Sequence, residues 1–216
     1  MRDRIQKIAV QWPSYGYRRV RRELRDKYGW IVNRKRVLRI MCEDNLLCLR
    51  QKAFWLPTTN SAHSWPVFAN VAAEMKGKLT GINQLWVADI TYIRLEREYV
   101  YLAVVLDAYS RRVVGWALGR TAGSRVGADG LAHGGGAASP GSRAGVHESQ
   151  RQSDDNAMAE SFIKTLKYEE VYPNHYHDMA EAQAGIAEFI EEVYNQKRLH
   201  SALDYRSPAA FERGAA

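Results

Sequence analysis

Asp89 and Glu160 are the two acids in this 216-residue chain whose surroundings give a carboxylate chemical work. Asp89 lies inside the apolar run Gln84-Leu-Trp-Val-Ala-Asp-Ile-Thr-Tyr-Ile93. A bare carboxylate inside such a run is costly unless it is paired or metal-bound. Hard divalent cations take oxygen ligands, so a metal is one way to settle it. An Asp bonded to local backbone or paired with an Arg is the other, and the residue types leave both open. Glu160 opens a helix behind Asp155-Asn-Ala-Met-Ala159 and shares a stripe with Lys164 and Lys167 at i, i+4, i+7. Two solvent-exposed Glu–Lys pairs would be worth a few tenths of a kcal/mol each. The alternative has Glu160 on a metal and the two lysines on nucleic-acid phosphates.

The elements that must hold these acids follow from periodicity. Leu85, Val87 and Ile93 fall on one face of the first strand, and Trp86, Ile90 and Tyr92 on the other. That pattern predicts a central strand covered on both sides, with Asp89 beside Val87 and Thr91. Residues 94–98 are a polar turn, 99–106 a second apolar strand, 107–112 another turn and 113–118 a third strand. Asp107 at the strand end is expected to organise that turn with Ser110 or Arg111. Asp155 is an N-cap for a helix over 156–168, whose Ala159, Phe162, Ile163 and Leu166 make a buried stripe. Asp178 and Glu181 cap the last long helix, with Ile186, Phe189, Ile190 and Val193 as its core stripe. A basic, aromatic tail follows, Tyr194-Asn-Gln-Lys-Arg-Leu-His-Ser-Ala-Leu203 and then Ser207-Pro-Ala-Ala-Phe211.

Charge is placed unevenly. Residues 1–52 hold 15 Lys/Arg against 5 Asp/Glu, a net of +10, while the remainder carries −3. A basic head on a near-neutral body points to a polyanionic partner. Within the head, a helix over 3–11 stops at Pro13, and Ser14-Tyr-Gly-Tyr17 is a turn. A second helix over 18–27 turns Val20 and Leu24 inward and spreads Arg18, Arg19, Arg21, Arg22 and Arg25 over the rest. Asn33 caps a third helix over 34–44, with Val37, Ile40 and Met41 on one face. Arg34, Lys35 and Arg36 sit in its first turn, against the helix dipole. That placement makes sense where the end approaches phosphates or base edges, as a recognition helix does. The reading is a helix-turn-helix over 1–50, set against a generic basic three-helix unit. DNA contacts are expected from Arg18, Arg19, Arg34, Lys35, Arg36 and Arg39.

Other classes are excluded by composition. No run approaches the roughly 18 apolar residues of a membrane span, and the N-terminus has no apolar signal core. Cys42 and Cys48 have neither zinc-ribbon spacing nor enough partners for a disulfide framework, which suits an intracellular protein with reduced thiols. His175, His177 and His200 lack a matching Cys/His cluster for zinc. Residues 51–80, with Pro57, Thr58, Thr59, Asn60, Ser61 and Pro66, read as a linker whose Trp55, Trp65 and Phe68 pack on a neighbouring domain, the alternative being DNA. The body over 81–216 is interrupted. Residues 121–150 hold 8 of the 16 glycines, no aromatic residue, and only Val126, Leu131 and Val146 as large aliphatics.

Six motifs in order resemble the second reading-frame product of insertion-sequence transposases of the IS3 type. They are Tyr15-Gly-Tyr-Arg-Arg19, Trp86-Val-Ala-Asp-Ile-Thr-Tyr92, Leu106-Asp-Ala-Tyr-Ser-Arg111, Asp155-Asn-Ala-Met-Ala-Glu-Ser161, Tyr194-Asn195 and Arg198-Leu-His-Ser-Ala-Leu203. The resemblance covers most of 1–120 and 154–212. It implies an α/β, RNase-H-like integrase core, a three-stranded antiparallel meander plus helices, behind a small all-α helix-turn-helix domain. It also implies two Asp and one Glu holding two Mg²⁺ or Mn²⁺ ions, with Asp89 as the first acid and Glu160 as the last. Such ions activate a water or a DNA 3′-hydroxyl for in-line attack on phosphorus. Lys164 and Lys167 match basic positions that contact the DNA end, and Asp107 matches a position outside the catalytic triad. The implied partners are transposon terminal repeats and target DNA, engaged by a homo-oligomer. The implied place is the bacterial cytoplasm, on the nucleoid, with no membrane. Elements of this type often join an upstream frame, which the position of Met1 leads one to expect is absent here.

The chain departs from the family in the middle. No His-Ser-Asp-Arg-Gly-type motif bearing the second acid occurs, and the interval from Asp89 to Glu160 is short by a few tens of residues. Asp129 is the only acid near the middle, and its glycine-rich surroundings give it no strand to stand on. A deletion with a frameshift, and a second shift restoring frame before Asp154, accounts for the composition. Strand transfer is then expected to be impaired. Two alternatives stay open: a non-catalytic DNA-binding remnant, and a relic that does not fold stably.

Overall fold

Pro13 and Gly29 divide the basic head into three helices, α1 (Arg2–Gln11), α2 (Tyr17–Tyr28) and α3 (Arg34–Glu43). The computed structural model describes residues 1–48, 78–120 and 157–215. Its chain divides into two units, Met1–Asn60 and Ser61–Ala216. In the first unit, Ile5 and Ile8 of α1, Val20 and Leu24 of α2, and Val37 and Met41 of α3 are buried. Spacings of three and four residues put each pair on one helix face. Gly29 takes a left-handed φ of 68° at the end of α2. Its amide donates to the Arg25 carbonyl at 2.9 Å, and only a residue without Cβ adopts this conformation freely. The Asn33 side chain accepts from the Lys35 amide at 2.8 Å, the cap expected from its residue type. Arg2 pairs with Glu43 and Asp44, and Gln6 bonds Asp44, tying α1 to the end of α3.

The second unit begins with an antiparallel meander of β1 (Trp86–Arg94), β2 (Tyr99–Asp107) and β3 (Val113–Gly119), in the order β1-β2-β3. Asp89 lies opposite Val104, and the β2/β3 register shifts between Val105 and Leu106. Here one expectation is corrected. The strand buried on both faces is β2, not β1: every residue from Leu102 to Asp107 is buried. Among the described residues β1 is an edge strand that buries Val87 and Ile93 but leaves Ile90 and Tyr92 exposed. Apolar residues on both faces make a strand fit for double burial. Which faces are covered depends on the elements that pack there, and period alone does not reveal it.

Helix α4 (Ala157–Leu166) packs on β1 and β2 and widens into a π-helical turn over Lys167–Val171. Its stripe Ala159, Phe162, Ile163 and Leu166 is buried as the spacing predicts. Each such large side chain contributes about 1.5–3 kcal/mol. Helix α5 (Met179–Glu188) carries the Asp178 cap, which accepts from the Glu181 amide at 2.9 Å. It too ends in a π-helical stretch, Phe189–Tyr194. That wider winding shifts the inward face, so Tyr194 is buried and Val193 only half-buried. The expected stripe, drawn at 3.6 residues per turn, missed this shift. A short 3₁₀ turn, Ser201–Leu203, and α6 (Pro208–Ala215) complete the described chain.

Candidate functional site

The Asp89 side chain is half-buried on β1, and its Oδ1 accepts from the Ile90 amide at 2.9 Å. Its charged neighbour is Lys167, the first residue of the π-helical turn that ends α4. The Lys167 ammonium lies 4.5 Å from the centre of the Tyr92 ring. Burial holds its pKa below the usual lysine value, and the negative charge of Asp89 partly offsets that. The stripe Glu160, Lys164 and Lys167 is therefore not uniform. Glu160 stands exposed in the first turn of α4, where a carboxylate complements the helix dipole. Lys164 is exposed, and Lys167 turns toward β1. The open face of Tyr92 explains why the second lysine is half-buried while Lys164 stays exposed.

Three further polar groups hold this site in place. Asp107 is fully buried, and Oδ1 accepts from the Tyr109 and Ser110 amides at 3.0 and 2.7 Å while Oδ2 accepts from the Asn83 amide at 2.6 Å. This is the turn-organising role expected of it; Arg111, in the left-handed region at φ 62°, closes the turn by donating its amide to the Asp107 carbonyl. Asn195 pairs with the backbone of β3, accepting from the Val113 amide and donating to the Val113 carbonyl, both at 3.0 Å. Its side-chain amide thus takes the place of a neighbouring strand. Arg198 grips Glu169 in the π-helical turn with two bonds of 2.9 and 2.6 Å. Both residues come from motifs quoted above, yet their residue types alone revealed neither role.

In the head, Arg34, Lys35, Arg36 and Arg39 are all exposed. Arg39 is 3.6 Å from Glu43 on its own helix. Arg18 is exposed with its guanidinium 5.8 Å from the Tyr17 ring, and Arg19 is half-buried with its own 5.4 Å from the Tyr15 ring. Arg21 donates to the Val32 carbonyl at 2.8 Å, so this cation braces the turn between α2 and α3.

Among the described residues the donor set does not complete a three-acid metal centre. Among the described residues no three His, Cys, Asp or Glu side chains are grouped to hold a metal ion. Asp89 and Glu160, the two acids expected at such a centre, stand half-buried on β1 and exposed on α4 respectively. Asp129, the Asp155 cap, the start of the helix at 156 and the linker residues up to 77 lie outside the described residues. The residues that sequence reasoning missed are a group of exposed tyrosines around Lys167. A signal was present, since Tyr168 and Tyr172 fall one turn apart beyond the buried stripe.

Comparison with known proteins agrees with the two-unit architecture. A family model for an HTH-like domain matches residues 1–54. Two models for an integrase core domain match residues 80–129 and 146–208. An uncharacterized 31 kDa protein of insertion element IS600 from Shigella sonnei is 34% identical over 92% of this chain and 81% of its own length. The transposase InsF for insertion sequence IS3A of Escherichia coli is 30% identical over 92% of this chain and 76% of its own. The transposase for insertion sequence element IS904 of Lactococcus lactis is 36% identical over 63% and 64%. The first two alignments run over 225 and 223 positions, more than the 216 residues of the chain. Those relatives therefore carry residues that this chain lacks. None of the three family models matches residues 130–145. No helix among the described residues is long and apolar enough to cross a membrane.

Proposed function

Because the chain belongs to the IS3 family of insertion-sequence transposases, whose function is DNA transposition by an integrase core, we propose that this copy binds DNA but is impaired in strand transfer. One observation carries the reading. The two integrase-core matches stop at 129 and resume at 146, and the residues around that break are glycine-rich with no motif for a middle acid. Asp89 and Glu160 are the remaining catalytic acids. Two carboxylates hold Mg²⁺ or Mn²⁺ less well than three, so the step that needs those ions fails first. The cause is a deletion and frameshift within codons 119–156.

The head engages DNA through Arg18, Arg19, Arg34, Lys35, Arg36 and Arg39, while Lys164 and Lys167 hold phosphates of the transposon end beside Asp89. Terminal repeats and target DNA are the partners, bound by a homo-oligomer on the bacterial nucleoid in the cytoplasm. The test is a strand-transfer assay with Mn²⁺ and a terminal-repeat DNA end, run beside an intact relative. Little or no product is expected, together with salt-dependent binding of the same DNA. Product at the relative's rate refutes the impairment. Replacing residues 121–153 with the relative's segment is expected to restore product.

A second reading is favoured by the folded, well-capped head: a DNA-binding remnant that occupies ends without cutting them. If the segment replacement leaves DNA binding intact but restores no strand-transfer product, this second reading is the correct one.

A further inference from the structure

Four tyrosines stand exposed on the core unit as one connected group. Tyr92, Tyr99, Tyr168 and Tyr172 are 59%, 54%, 41% and 60% exposed. The Tyr92 and Tyr99 rings meet edge-on at 5.8 Å, and those of Tyr168 and Tyr172 at 5.4 Å. Lys167 bridges toward them, with its ammonium 4.5 Å from the Tyr92 ring. Lys167, on the Tyr92 ring and adjacent in the chain to Tyr168, joins the two pairs into a single surface; burial, then the nearby Tyr168 and Tyr92, raises the Tyr172 pKa. None of the four belongs to the buried core. Clustered exposed aromatics of this kind mark a binding surface more often than a folding need.

Charge identifies the occupant. Arg94, at the end of β1 opposite Tyr99, and Lys164, one turn before Lys167, are both exposed. With Lys167 they set three cations around the rings, with Asp89 as the neighbouring acid. Duplex DNA presents phosphates and groove edges, while its base faces are stacked away. Exposed ring faces with flanking cations suit bases that are already unpaired. Resting on the reading of the core as a DNA-handling unit, we propose that this tyrosine–lysine surface binds unpaired nucleic acid, its bases stacking on Tyr92, Tyr99, Tyr168 and Tyr172 and a phosphate lying against Lys167. In that arrangement the strand beside Asp89 is held open rather than paired.

The experiment uses the full chain and a fluorescein-labelled dT oligonucleotide of about 12 nucleotides, within the range of known single-strand sites. A terminal-repeat duplex serves as the second probe. Tyr99→Ala and Tyr172→Ala are each expected to weaken dT binding by about five- to tenfold, the lower end of base-stacking losses. Tyr99→Phe and Tyr172→Phe keep the ring and are expected to bind as the parent does. Duplex binding is expected to be unchanged in all four, and a thermal melt confirms that each variant folds. Alanine variants that bind dT as well as the parent, with duplex binding intact, overturn the surface and leave the functional reading standing. Alanine variants that bind both probes as the parent does but change oligomeric state by light scattering make the patch a self-association surface and also overturn it. A parent chain that binds neither probe overturns both readings together.

Discussion

Replacing Arg198 with methionine should reveal what the tail of the core does physically. Arg198 donates to Glu169 through Nε at 2.9 Å and Nη2 at 2.6 Å. The two side chains are only 6% and 12% exposed, so solvent screens the pair little. Arg198→Met leaves the Glu169 carboxylate buried without this cation. Removing one member of such a pair costs about 3–5 kcal/mol. In a domain of 150–250 residues each kcal/mol moves the midpoint by roughly 2–4 °C, so a fall of about 6–20 °C is expected. Glu169→Met should also destabilise, because it takes this carboxylate from the buried guanidinium. The double variant should cost clearly less than the sum of the two, since no charge is left buried. The assay is thermal and urea unfolding of the four proteins followed by circular dichroism. A loss below about 1 kcal/mol for Arg198→Met, or strict additivity of the two changes, refutes the buried-pair account. The π-helical turn carries Glu169 two residues after Lys167, so the same variants should also weaken binding of a DNA end.

Other outcomes follow from single interactions. Asn195→Asp keeps an acceptor for the Val113 amide but removes the donor to the Val113 carbonyl, and should destabilise by about 2–3 kcal/mol in urea unfolding. Asn195→Ala, losing both bonds, should cost at least as much. Changing Arg34, Lys35 and Arg36 together to Ala should weaken duplex binding and reduce the slope of log K against log salt by roughly 0.9 for each phosphate no longer neutralised, read by fluorescence anisotropy across salt. An unchanged slope means that this helix end does not meet phosphates. His177 sits 3.2 Å from Glu96, and that hydrogen bond, with the charge of Glu181, raises its pKa above 6.5. A raised folded value means that the contribution is present in full below the unfolded value near 6.5 and is lost as pH rises through the folded one. The NMR titration of His177 should therefore lie above 6.5 and fall toward it in Glu96→Gln.

The order of the amino acids makes much of this protein legible through local chemistry. Pro13, Gly29 and Asn33 punctuate the head because each acts through its own backbone or side-chain geometry. The stripe of α4 declares itself because burial repeats with the helical period, and the three strands because short apolar runs are bounded by polar turns. Asp107 belongs to its turn because an Asp at a strand end bonds the amides that follow it. The break over residues 121–150 is visible as composition alone, since glycine and small residues cannot supply a core strand. Tertiary structure decided the rest. Whether β1 or β2 is the doubly covered strand depends on which neighbours pack on each face. That Asn195 substitutes for a strand beside Val113, 82 residues away, and that Arg198 holds Glu169 depends on the chain folding back, which no local pattern encodes. Lys167 meets Tyr92 and lies near Asp89 because α4 packs on β1. That contact joins segments far apart in the chain, so the period of neither element encodes it.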